Sequence, residues 1–131
     1  MRIGEAASRA GVSTKAVRYY ESLGLVTAPR LANGYRDYDE AQVRRIGEIR
    51  GLVRLGIPAE QTRPFLDCLD SGQAAGDDCP ASLDTYRAAI ADLDLRVVEL
   101  AERRETLAAR LAEATARSAP RCLFTPTEEI P

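Results

Sequence analysis

The sequence predicts a mainly α fold: a winged helix-turn-helix followed by one long helix that pairs with a copy of itself. Three observations predict it. Two short helical stretches meet at Gly11, an Asn33-Gly34 dipeptide sits between two short apolar and aromatic runs, and apolar residues recur every three or four positions from Leu83 to Ala114. A chain of 131 residues suffices for one small domain plus an appendage, and so small a core gains from a partner subunit.

Gly4 to Ala10 is expected to form the first helix, with Gly4 as N-cap, Glu5 at the positive end and Gly11 as a left-handed exit. Val12 is then a buried turn residue. Ser13 caps a second helix that runs to about Leu23 and stops at Gly24, with Val17 and Tyr20 facing inward. Small residues Ala6, Ala7 and Ala10 allow the two helices to cross closely, which is helix-turn-helix grammar. The second helix is the reader: Ser13, Thr14, Lys15, Arg18 and Tyr19 supply groups that bond phosphates and base edges.

Leu25-Val26-Thr27 and Tyr35-Arg36-Asp37-Tyr38 flank Asn33-Gly34, which predicts a hairpin with a type I′ turn, because both turn residues tolerate positive φ. This hairpin is the wing, and it would place Arg30 and Arg36 on a ribbon able to straddle a backbone. Asp39 and Gln42 form a capping-box pattern opening a helix with the stripe Val43, Ile46, Ile49, Leu52 and Val53, ended by Gly56. A further helix begins near Pro58 and carries Phe65, Leu66 and Leu69; Pro64 inside it removes a donor and predicts a kink or a late start.

Residues 70–80 are small, polar and glycine-bearing, which marks a hinge loop. A helix over 81–117, on the order of 55 Å long, follows. Its inward positions are Leu83, Tyr86, Ile90, Leu93, Val97, Leu100, Arg104, Leu107, Leu111 and Ala114, a heptad seam with one polar interruption that a lone helix cannot bury. The predicted organisation is therefore 1–69 DNA-binding domain, 70–80 hinge, 81–117 dimerisation helix and 118–131 a proline-punctuated tail.

Charge is segregated along this plan. Residues 1–66 hold 11 Lys or Arg against 7 Asp or Glu, a net +4, while residues 67–131 hold 7 against 13, a net −6. That is expected if the N-terminal half alone meets phosphate. The chain has no histidine, no phosphate loop and no paired-carboxylate motif, so an enzyme is not expected. No apolar run approaches the roughly 20 residues needed to span a bilayer and the start lacks a signal-peptide block, so a cytoplasmic, nucleoid-associated protein with no membrane partner is expected. Three cysteines, Cys68, Cys79 and Cys122, make reduced thiols the default.

Ile3-Gly4-Glu5-Ala6-Ala7, Gly11-Val12-Ser13, Val17-Arg18-Tyr19-Tyr20-Glu21, Gly24-Leu25, Asn33-Gly34-Tyr35-Arg36-Asp37-Tyr38 and Leu55-Gly56-Ile57, in that order and spacing, resemble the N-terminal domain of MerR-type regulators. The resemblance covers residues 1–69 closely and the long helix by architecture. It implies a homodimer bridged by an antiparallel coiled coil, with both recognition helices in successive major grooves of a promoter with a long spacer. It further implies activation by distortion of that spacer, so that RNA polymerase meets the promoter elements in register. Position by position, it places Arg18, Tyr19 and Tyr20 in the motif that holds the backbone and the helix geometry, and Thr14 and Lys15 at reading positions. Arg36 and Tyr38 fall in the wing, Arg30, Asn33 and Tyr35 at its turn, and Arg54 is a further carried-over contact.

The effector stays open at this level. The resemblance puts Cys79 where metal and mercury sensors of the family place a thiolate, so Cys79 and Cys122 of two antiparallel subunits are candidate ligands for a soft metal ion. The rival is thiol oxidation or electrophile sensing: Cys68 ends one helix and Cys79 starts the next, and a reversible disulfide would lock the hinge. A third reading leaves the cysteines idle. Beside the promoter regulator stand an architectural DNA-binding protein without sensing and a coiled-coil adaptor whose basic half is incidental.

Overall fold

The first helix stops where a left-handed residue is required. Gly11 adopts φ 77°, and its N–H and that of Val12 return to the carbonyls of Ser8 and Ala7, closing the end of α1 (Ile3–Ala10). The computed structural model describes residues 1–122, and side chains through residue 118. After α1 come α2 (Thr14–Ser22), α3 (Glu40–Arg54), a 3₁₀ turn (Ala59–Gln61), α4 (Arg63–Asp70) and α5 (Pro80–Cys122). The start of α1 departs from expectation: Arg2 rather than Gly4 is the N-cap. Val12 is half-buried, packed against the core.

Ser13 caps α2 by accepting from the Ala16 N–H at 3.1 Å, and Asp39 caps α3 by accepting from the Gln42 N–H at 2.9 Å. The Gln42 side chain does not complete a capping box. It accepts instead from the Thr27 N–H at 3.1 Å and so ties the segment after α2 to α3. The expected kink or late start at Pro64 is a late start: α4 begins at Arg63, where a proline in the first turn displaces no helical donor.

The wing has less structure than the sequence predicts. Among the described residues there is no strand, and the two arms meet at one antiparallel bridge, Arg30 with Arg36. The turn is not type I′, because Asn33 does not take positive φ. The Gly34 N–H bonds the Leu31 carbonyl at 2.9 Å, and Gly34 alone adopts φ 88°, a type of three-residue loop closed by a left-handed glycine. Pairing ends quickly because Pro29 has no N–H: its carbonyl accepts from Asp37 at 2.9 Å but nothing can be returned, and the Tyr38 N–H goes to the Met1 carbonyl at 2.7 Å.

The principal core unites α1, α2, α3 and the wing arms: Ala6, Ala7, Val17, Tyr20, Leu25, Val26, Tyr38, Ile46, Ile49 and Leu66 are all buried in one cluster. Small residues on α1 permit the close approach to α3. A second cluster joins Leu52, Ile57 and Phe65 with Tyr86 and Ala89 of the first turns of α5. Tyr86, assigned from sequence to the seam, thus faces the other way, its ring 5.1 Å from that of Phe65. Val53, expected on the inner stripe of α3, is 40% exposed.

The chain divides into two units, Met1–Ala89 and a second that starts at Ile90. In the second, α5 exposes Ile90, Leu93, Val97, Leu100, Leu107 and Leu111. The helix extends past the expected end near Arg117 to Cys122. The remainder of the expected tail lies outside the described residues.

Candidate nucleic-acid interface

An open groove of about 980 Å³ lies between the start of α1, the outer face of α2 and the wing. Four guanidinium groups, those of Arg2, Arg18, Arg30 and Arg36, line it, against two carboxylates, Glu5 and Glu21. A concave surface with that excess of positive charge suits a phosphate backbone, and guanidinium groups bind phosphate oxygens in pairs.

Three of the four cations are held by neighbouring groups. Arg30 donates to the Gly34 carbonyl at 2.8 Å across the wing turn. Arg36 donates through Nη1 to the Ala28 carbonyl at 3.3 Å and forms an ion pair with Glu21, Nε to Oε2, at 3.1 Å. Arg2 stacks over the Tyr35 ring, 3.9 Å from its centroid. Asn33 accepts from the Tyr35 N–H at 3.0 Å and so shapes the loop from its own side chain.

The residues assigned to DNA contact from sequence separate into surface and support. Lys15, Arg18, Arg30, Asn33 and Tyr35 are exposed, and Thr14 is partly so. Ser13 spends its hydroxyl as the α2 cap. Tyr19 is 48% exposed, but its hydroxyl donates to Glu60 at 2.9 Å, and that hydrogen bond, with some burial, raises its pKa. Tyr20 is a core residue whose pKa burial raises, and Tyr38 is almost wholly enclosed, so both support the surface rather than belong to it. Arg54 is exposed at the end of α3, away from the groove lining.

Two residues of the groove were missed. Glu21 sits inside the Val17 to Glu21 motif, but its wing partners Arg36 and Tyr38 are 15 and 17 positions away. Arg2 had no local signal, since its partner Tyr35 is 33 positions away.

The cysteines differ from the reduced default. Cys68, buried in α4, and Cys79, half-buried just before α5, are joined in a disulfide with a Cα–Cα distance of 5.8 Å. Export chemistry did not need to suggest the pairing, because the hinge loop folds back on itself. Arg44 donates to the Ala74 carbonyl at 2.5 Å, Arg45 pairs with Asp70 at 2.6 Å, and Ser82 donates to the Gly76 carbonyl at 2.5 Å. Asp77 accepts from Tyr86 at 2.9 Å, and Glu48, whose pKa burial and then Asp77 raise, packs beside Gly76. Cys122 ends α5, and its side chain lies outside the described ones. Among the described residues no group of three or more acidic, cysteine or histidine side chains is placed to hold a metal ion, and no helix is long and apolar enough to cross a membrane.

The chain is similar to known transcriptional regulators. The MerR HTH family of regulatory proteins matches residues 1–67. The HTH-type transcriptional regulator HmrR of Rhizobium leguminosarum is 35% identical over 107 residues, 82% of this chain and 81% of that protein. The transcription regulator PbrR691 of Ralstonia metallidurans, solved in complex with lead(II), superposes with a TM-score of 0.69 at 31% identity over 84% of each chain. HiNmlR, a MerR family regulator lacking the sensor domain and solved bound to promoter DNA, shares the fold, with a TM-score of 0.54 at 20% identity over 92% of this chain and 90% of that one.

Proposed function

The chain belongs to the MerR HTH family and is a transcriptional regulator, not an enzyme; from that premise we propose that it is a homodimer which grips promoter DNA through the arginine groove and switches transcription by distorting the promoter spacer. One observation carries the reading: recognition helix and wing converge on a groove ringed by Arg2, Arg18, Arg30 and Arg36. Lys15 and Thr14, at the start of α2, read base edges, and the arginines hold phosphates. Two copies pair along residues 81–117, which presents two such grooves to successive half-sites. Contacts at both offset a bending cost of several kcal/mol, and RNA polymerase then meets realigned promoter elements.

The signal is thiol oxidation at the hinge. Cys68 and Cys79 each give up a proton and together two electrons to an oxidant of the peroxide class, which leaves as water; the product is the bond between Cys68 and Cys79. Reduction removes one of the two restraints on the loop that joins α4 to α5. A second reading is supported by the lead-bound relative and by relatives named as heavy metal-dependent and mercuric resistance regulators: in the reduced chain Cys79 is free to take a soft metal ion together with Cys122 of the partner, which the disulfide would forbid.

The test uses duplexes from the DNA upstream of the protein's own gene and scrambled versions of them. Arg18→Ala weakens binding to every duplex and lowers the salt slope by about one, whereas Lys15→Ala also narrows the gap between own and scrambled sequence. A wild-type chain that binds both duplexes alike would sink the regulator reading in favour of an architectural one. Running the same titration oxidised, reduced, and reduced with copper(I) separates the effectors: a change with oxidation state alone supports the thiol switch, and a change that requires the metal supports the second reading.

A further inference from the structure

A carboxylate in a surface that binds phosphate repels its ligand, so its presence calls for a compensating task. Glu21, on the last turn of α2, is such a group: it lines the arginine groove, yet its side chain is 12% exposed and both oxygens are engaged. Oε1 accepts from the Tyr38 hydroxyl, and Oε2 faces Arg36 Nε at 3.1 Å. Arg36 is fixed a second time by the Ala28 carbonyl, at 3.3 Å from Nη1. Two anchors on different nitrogens set the plane of the guanidinium, which one alone would leave free to swing.

We propose that Glu21 is a positioning residue that locks the wing to the recognition helix and aims Arg36 at the phosphate next to the one Arg18 meets. The juxtaposition is specific. Glu21 stands three residues after Arg18, on the same face of α2, and reaches across to Arg36 and Tyr38 of the wing. The wing has a single bridge of its own and cannot hold its angle by a strand ladder, so a side-chain clamp supplies what backbone pairing does not. Loss of a like-charged obstacle would otherwise favour DNA binding; an acid retained here exchanges raw affinity for a fixed separation between two phosphate contacts.

The proposal rests on the groove being the DNA interface, and the experiment keeps the two apart. The probes are a duplex enriched from a random pool by the wild-type chain and a scrambled duplex. The variants are Glu21→Gln, Arg36→Ala and the double variant. Glu21→Gln keeps an acceptor for Tyr38 and the side-chain volume but loses the ion pair. It should lower affinity for the selected duplex roughly tenfold while leaving affinity for the scrambled one unchanged or raised. In the Arg36→Ala background the same substitution should have no further effect, because Glu21 acts through Arg36. Independent, multiplying losses in the double variant would overturn the proposal. So would an unchanged Glu21→Gln, or a parallel loss on both duplexes that tracks a lowered melting temperature. Failure of the wild-type chain to prefer its selected duplex would instead remove the interface, and this proposal with it.

Discussion

Tyr38 is 1% exposed and its hydroxyl donates to Glu21, so burial first and the neighbouring carboxylate second push its pKa from 10.0 up to about 12. The folded chain therefore holds this proton more tightly than the unfolded one. The associated stability is complete below pH 10 and is lost as pH rises toward about 12. Unfolding by urea across that window should show a decline that Tyr38→Phe reduces, with the phenolate absorbance of Tyr38 the last to appear in the wild type; a decline of equal size in the variant would disprove it. Tyr20 and Tyr38 show why single residues resist assignment from sequence. A tyrosine in a DNA-binding motif serves surface and core equally well by composition, and only the packing of α1 and α3 over it selects the core.

At the scale of elements, the segment from α4 to α5 is held twice, by the Cys68–Cys79 bond and by the loop's polar ties to α3. The cysteines are 11 positions apart, and closing so short a loop restricts the unfolded chain by roughly 3 kcal/mol. Dithiothreitol should lower the urea midpoint by about that stability, in a Cys122→Ser background that removes the third thiol. An unchanged midpoint would mean that the polar ties suffice. The loop was recognisable from its glycines and aspartates, and the Cys68–Cys79 bond stood among the alternatives, but the packing of Gly76 was not legible: it lies so near Glu48 and the Phe65 carbonyl that a Cβ there would lie 2.5 Å from the carboxylate, a constraint made by residues 28 and 11 positions away. The wing closes as a turn with one bridge and lacks the expected strands for a local reason, since Pro29 withholds a donor.

For the whole molecule, the apolar side chains of α5 beyond Ile90 carry the quaternary prediction. Leu100 is 59% exposed and Leu107 and Leu111 are each 68% exposed in the single chain, which water disfavours by about 25 cal/mol per Å². A dimer should therefore sediment at micromolar concentration, and Leu100→Glu should shift it to monomer and cost the cooperative half-site contact, with the fold of residues 1–89 intact by circular dichroism. A wild-type monomer would refute the pairing. The sequence by itself determined the order of the helices, the Ser13 and Asp39 caps, the long amphipathic stripe and the family, because caps, glycine exits and heptad spacing act over a few residues of chain. Tertiary structure alone decided that Tyr38 is buried, that Tyr86 packs on Phe65, which of its alternatives Cys79 takes and that Glu21 pairs with Arg36. Those outcomes depend on contacts between residues distant in sequence, whose partners compete on equal terms until the core closes.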